Sequence, residues 1–217
     1  MQPAELHSDS SLEIVGAFAH RDLVPFLLEE LNRRTKVLRI YWGVGYVYVL
    51  ALVGSMVYAS AYGAFSFFRL LAYTLGYSLL ALPVLVLVHE GIHALAYWIL
   101  GARKLQLGGR WQQAYVYIAA PGFVLDKRGF GIVALAPLLL IGLVLIALLV
   151  VLDGSLWWTA LGLLGWHWLS CVGDVGLFSF ALRHLSFYTY DDSSESKTYF
   201  FSERKAPGHP ESQPQMK

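Results

Sequence analysis

Charge is scarce in this chain. Of its 217 residues 14% are Asp, Glu, Lys or Arg, against about a quarter in an ordinary soluble domain. Hydrophobic residues make up 57% and aromatic residues 15%. That balance excludes a typical soluble globule and indicates a membrane protein. Net charge is +1, so no basic surplus points to nucleic acid. Cysteine occurs once, at Cys171, which excludes a disulfide framework and a cysteine-rich zinc site. The opening stretch, MQPAELHSDSSLEIVG, has no basic segment followed by an apolar core. No cleaved signal peptide is therefore expected, and the first apolar run should act as an uncleaved anchor. The chain has no internal repeat.

What it has is long apolar runs. A helix needs roughly 20 apolar residues to cross a hydrocarbon core about 30 Å thick. Four segments meet that length: 40–62, 70–100, 130–152 and 156–182. The second is longer than needed, which suggests tilt, and Pro83 is expected to kink it. Pro137 lies within two turns of the start of the third. Trp42, Trp98, Trp157 and Trp158 fall near segment ends, where aromatic belts form. Arg33, Arg34, Lys36 and Arg39 precede the first run, and Arg103, Lys104, Arg110, Lys127 and Arg128 fill the loop after the second. The two other turns carry one basic residue between them, Arg69. Both termini and the 101–129 loop are therefore expected on the cytoplasmic side.

The fold class expected is an all-α membrane protein of four transmembrane helices, with a short cytoplasmic β-hairpin between helices two and three. Residues 1–39 form a cytoplasmic N-terminal segment with an amphipathic helix at 22–38, capped by Asp22 and lying on the inner membrane face. Phe26, Leu27 and Leu31 give its apolar side, Glu30 and Arg34 its charged side. Residues 40–182 form the membrane domain. The hairpin turns around Gly108-Gly109, with partial alternation on both arms. Residues 183–217 are a polar tail, read as disordered from Asp191 onward.

The second run carries the chemistry. In LVLVHEGIHALAYW, residues 85–98, His89 and His93 are four residues apart. On a helix their rings lie on one face, one turn apart, and can hold a single Zn²⁺. Glu90 follows the first of them and points to an adjacent face, where it can reach a metal-activated water as general base. A glutamate and two histidines inside a spanning helix must face a cavity or other polar groups, so they are functional candidates. A proton relay, a haem held by one histidine, or a helix end beyond the hydrocarbon are the other readings.

Zinc needs a third protein ligand. Position 99 is not histidine, so an extended three-histidine pattern is absent. No glutamate occurs between Gly91 and Ser194, which removes the pattern with a downstream glutamate. Among the aspartates of that interval, only Asp174 lies inside a spanning segment. His93 is seven residues from the inner end of its run and Asp174 nine from the inner end of its own, so their depths agree within about 3 Å at the helical rise. Asp174 is the first candidate for third ligand. His167, on the same helix face as Cys171 and Asp174, is the alternative, or else an oxyanion donor or a polar link between helices. Cys171 could ligate as thiolate, but a lone buried cysteine more often packs as a small hydrophobe. His7, His20, His184 and His209 read as surface histidines.

The stretches HEGIHALAYW, ALAPLLL and GDVGLF, in this order, resemble a bacterial family of zincin membrane peptidases of unknown function. The chain is similar more distantly to the site-2 protease class of intramembrane zinc metallopeptidases. The likeness covers roughly residues 70–182. It implies zinc held by His89, His93 and Asp174, with Glu90 catalytic. The chain departs from the site-2 class around the aspartate: that class commonly has asparagine and proline before it, whereas this chain reads Val172-Gly173-Asp174 and has no asparagine but Asn32. His167 is a possible stand-in for that asparagine. The 104–118 hairpin could offer an edge strand to an extended substrate, or be a plain connector.

The function expected is a zinc-dependent intramembrane or membrane-proximal endopeptidase acting on membrane proteins or peptides. A non-catalytic metal- or haem-binding sensor or partner subunit is the alternative. A small proton- or metal-coupled transporter is disfavoured, because the first and third runs carry no acidic, basic or histidine side chain.

Overall fold

The computed structural model describes residues 2–19, 22–63, 65–110 and 115–204. The chain opens with helix α1 (Pro3–Ser8), strand β1 (Leu12–Ala19) and helix α2 (Leu23–Leu31), followed by the long helix α3 (Lys36–Ala61). Helix α4 (Phe67–Leu71), a π-helical stretch (Ala72–Tyr77) and α5 (Ser78–Ile99) follow one another without a gap. Strands β2 (Gln106–Arg110), β3 (Tyr115–Ala119) and β4 (Leu125–Asp126) lead into α6 (Lys127–Val151). Helices α7 (Gly154–Ser170) and α8 (Val172–Leu182) precede strands β5 (Tyr188–Asp192) and β6 (Lys197–Glu203).

Among the described residues, three helical segments are long and apolar enough to cross a membrane: α3, the stretch Phe67–Ile99, and α6. The pair α7–α8 makes a fourth if taken as one span. Sequence reasoning expected an unbroken helix over 156–182; the structure bends it by 42° at Cys171. The reason is local. Ser170 Oγ donates to the His167 carbonyl at 2.8 Å alongside the ladder bond from Cys171 N at 3.1 Å, a shared acceptor of the kind that bends helices, and Gly173 and Gly176 weaken the helix beyond.

The protein is mostly helical, but not all-α. A four-stranded antiparallel sheet has the order β1-β6-β5-β4, so the N-terminal strand, the C-terminal hairpin and the lead-in to α6 share one sheet. This corrects the disordered tail: residues 188–203 are ordered, while 205–217 lie outside the described residues. The polar cluster Ser193 to Ser196 is the turn between two aromatic strands. Asp192 Oδ1 accepts from Ser194 N at 2.8 Å and from Ser194 Oγ at 2.6 Å, and Ser196 adopts a positive φ of 52°. Phe187 and Phe200 pack with Phe130, Phe180 and Leu125, which joins the sheet to the ends of α6 and α8.

The smaller hairpin is also displaced from its expected register. Gly108 and Gly109 lie within β2, opposite Tyr117 and Val116. A side chain at Gly108 would collide with the Tyr117 ring, so this glycine serves a cross-strand contact rather than a turn. The connection at 111–114 lies outside the described residues.

The helix expected over 22–38 ends at Leu31, and a new one begins after Thr35, whose Oγ1 accepts from Leu38 N. Asp22 makes no side-chain cap of α2, because its backbone is not in the extended conformation a cap needs. Glu30 does not face solvent. It is 1% exposed, 2.5 Å from Arg183 and 3.1 Å from Arg33. Leu27 and Leu31 of α2 lie on Gly173 and Gly176 of α8, where a Cβ at Gly176 would come within 2.7 Å of Leu27. α2 thus packs on the protein through one ion cluster and a pair of leucines.

Candidate metal centre

α5 turns His89 and His93 inward, as their four-residue spacing requires, and both are buried. Across from them the break at Cys171 makes Asp174 a first-turn residue of α8. His89 Nε2 lies 3.2 Å from Asp174 Oδ2, and His93 Nε2 lies 3.5 Å from Asp174 Oδ1. The two Nε2 atoms are 3.1 Å apart. The depth match expected from the sequence is thus a close approach of all three side chains.

Two tests ask whether this triangle suits a cation. The first is size. Ligand atoms at zinc–nitrogen and zinc–oxygen bond lengths of about 2.0–2.1 Å, in a tetrahedron, sit about 3.3 Å from one another. The separations of His89 Nε2 from His93 Nε2 and from Asp174 Oδ2 lie near that value, while His93 meets the other carboxylate oxygen, Oδ1, at 3.5 Å. The second is charge. His93 Nδ1 is 2.9 Å from the Val133 carbonyl, which can only accept, so Nδ1 carries the proton. In the neutral ring Nε2 is then a lone pair, and it faces a carboxylate oxygen and another imidazole nitrogen. A cation between these groups would be met by that lone pair and by the carboxylate, a place that a proton on His89 Nε2 can also fill. Two imidazoles and a carboxylate are a donor set that suits Zn²⁺ in ligand type.

Glu90 stands beside the triangle. One carboxylate oxygen of Glu90 and one ring nitrogen from each histidine lie within 4.8 Å of one another. Its Oε2 is buried with no hydrogen-bond partner among the described residues, which is costly unless a ligand or water meets it. Ile118 lines the same cavity as Glu90, and strand β3 packs along α5 there. A cavity of about 410 Å³ opens over these groups, lined by Glu90, His93 and Asp174 and by Leu27 of α2, Tyr117 of β3 and Phe200 of β6.

His167 stands apart from the triangle. Its Nε2 donates to the Pro137 carbonyl at 3.1 Å, and its ring centroid is 5.7 Å from that of His89. With Cys171 it forms a second buried group that shares His89: Cys171 Sγ is 3.9 Å from His89 Nδ1 and 3.6 Å from His167 Nε2. His7 is exposed, as expected of a surface histidine, and its Nε2 meets Tyr190 Oη at 2.7 Å with the ring edge-on to Phe201. His184 packs against Phe180, and His20 and His209 lie outside the described residues. Sequence reasoning did not identify the Val133 carbonyl, Ile118 of β3 or the leucines of α2 as parts of the site. Backbone groups carry no signal in residue identity, although Pro137 marks the turn of α6 where Val133 lies.

Residues 82–188 match the model of a family described as "Putative zincin peptidase". That stretch contains the whole triangle, Glu90, both α6 carbonyls and His167. Comparison with curated proteins and with solved structures gives no match.

Proposed function

The chain belongs to that zincin peptidase family, and from this premise we propose that it is a zinc-dependent endopeptidase cleaving membrane proteins at or near the membrane surface. His89, His93 and Asp174 hold the ion in this reading. Zn²⁺, when bound, supplies Lewis acidity toward the scissile carbonyl and the attacking water. Glu90 takes the water's proton at its buried, unpartnered oxygen and returns it to the leaving amine nitrogen. His93 is kept in its Nδ1–H form by the Val133 carbonyl, so that Nε2 stays available to the metal. The observation that carries the proposal is the convergence of His89, His93 and Asp174, each within 3.5 Å of the other two, with Glu90 next to them.

The cavity supports a membrane-proximal substrate. Its walls include β3 and β6 as well as the spanning helices, so an extended peptide could approach along the strands. The β-sheet supports four crossings. β4 precedes α6 and β5 follows α8, yet the two strands are hydrogen-bonded, so α6 and the bent α7–α8 pair must leave and return to one face. β1 and β6 impose the same return on α3 and the Phe67–Ile99 segment. By the basic-residue count, that shared face is the cytoplasmic one.

The test uses detergent-purified protein and cells. Zinc should be stoichiometric in the wild type and in Glu90→Gln, and lost from His89→Ala and Asp174→Ala. Profiling of new peptide termini in membranes should find cleavage products with the wild type that vanish with Glu90→Gln. Equal zinc in all four proteins, or an unchanged set of termini with Glu90→Gln, rejects the proposal. The second outcome with zinc intact would favour a non-catalytic metal-binding protein.

A further inference from the structure

Pro137 lies in the middle of α6, fully buried, where a proline is ordinarily costly. A helix at that point needs the N–H of residue 137 to bond the carbonyl of residue 133. Proline has no N–H, and its ring pushes the carbonyl four residues back away from the helix axis. The Val133 carbonyl is therefore left without its helical donor in the most apolar part of the protein, where an unmet backbone group is not tolerated. His93 Nδ1 supplies the missing donor at 2.9 Å. Proline's own carbonyl in turn accepts from His167 Nε2 at 3.1 Å. One residue of α6 thus governs the orientation of two histidines on two other helices.

We infer that Pro137 is a positioning residue of the metal centre: by withholding an N–H from Val133 it makes that carbonyl the partner that fixes the tautomer and ring angle of His93. The inference rests on the proposed role of His93 as a zinc ligand. In Pro137→Ala, the new N–H competes for the Val133 carbonyl and the carbonyl swings back along the helix. His93 then loses its exclusive partner, and Nε2 no longer presents a lone pair to the site in every molecule.

The test compares wild type, Pro137→Ala, and a semisynthetic chain with lactic acid at position 137. The last has alanine's methyl group but an ester oxygen in place of the N–H. Zinc affinity is read by competition with a chromophoric chelator, on detergent-purified protein. The His93 tautomer is read from ¹⁵N-histidine spectra of the metal-free chain, assigned by their loss in His93→Gln. Pro137→Ala should bind zinc about tenfold more weakly, the lower range for loss of a group that orients a ligand, and should lose the pure Nδ1–H signature. The ester chain should keep both wild-type affinity and wild-type spectrum. Affinity within twofold of wild type and an unchanged spectrum in Pro137→Ala overturn the inference. So does an ester chain as weak as Pro137→Ala, since the ring's effect on helix shape would then be responsible. If Pro137→Ala does not fold, the ester chain decides alone by the same two readouts. A wild type that binds no zinc would refute the metal proposal, while the metal-free spectra would still decide the role of Pro137.

Discussion

At the scale of single residues, the side chains of the proposed metal centre are held by bonds that leave little freedom. Asp174→Asn removes the anionic oxygens that lie 3.2 and 3.5 Å from the two imidazoles, so it is expected to lose at least tenfold in zinc affinity, measured by chelator competition. Outside the membrane, Asp192 gives a prediction of pH dependence. Hydrogen bonds from the Ser194 hydroxyl and backbone hold its carboxyl below the ordinary 3.8. Its stabilisation of the β5–β6 turn is therefore fully present above that ordinary value and is lost as pH falls through the lower folded value. Amide exchange in β5 and β6 should quicken below about pH 4, relative to α6, and Asp192→Asn should flatten that difference. A β5–β6 exchange rate that keeps a constant ratio to that of α6 from pH 6 to 2, once intrinsic rates are divided out, would contradict it.

At the scale of elements, α2 closes one wall of the cavity, and two features dock it. Glu30→Ala leaves Arg183 and Arg33 beside an apolar helix without their carboxylate. Breaking a buried pair costs about 3–5 kcal/mol, and the lower end applies because the guanidinium partners are 34% and 49% exposed. Gly176→Val pushes into Leu27 and Leu31 and should cost about 1–3 kcal/mol by overpacking. Both changes should expose the linker at 32–35 to protease, and zinc content should remain, since no ligand lies on α2. Protection of that linker at wild-type levels in both variants would show that α2 is held by something else. The same elements show how sequence can mislead. Ser193 to Ser196 made residues 191–217 look like a solvated tail, although Tyr188, Tyr190, Phe200 and Phe201 flank that cluster on both sides as strands. A hairpin whose turn is richly polar reads as disorder when the turn is weighed more heavily than its arms. Glu30 looked solvent-facing because the partner that buries it, Arg183, is 153 residues away.

At the scale of the whole molecule, the sheet ties both ends of the chain to the loop before α6. In the proposed topology, residues of β1, β2 and β6 should react with a membrane-impermeant thiol reagent from the same side. Single cysteines at Glu13, Leu107 and Lys197 in a Cys171→Ser background would report it, with Gly63 labelled only from the other side. Labelling of the three from different sides would break the four-span reading. Chelation should lower the thermal midpoint of the wild type, because zinc binds only the folded chain, and should leave His89→Ala unmoved. Equal shifts in both would place the stabilising ion elsewhere.

The sequence by itself determined the membrane character, the approximate spans and the candidate site, because those follow from composition, run length and a four-residue spacing on one helix. It singled out Asp174 as the one aspartate after Gly91 and before Ser194 that lies inside a spanning segment, and depth agreed, since helical rise converts residue count into distance. Only the tertiary structure decided which atoms meet: that Asp174 sits at the start of a broken helix, that His93 leans on Val133, that β3 packs along α5 beside the cavity, and that α2 walls the cavity. Each of those depends on a contact between segments far apart in the chain, made partly by backbone groups that are the same in every residue.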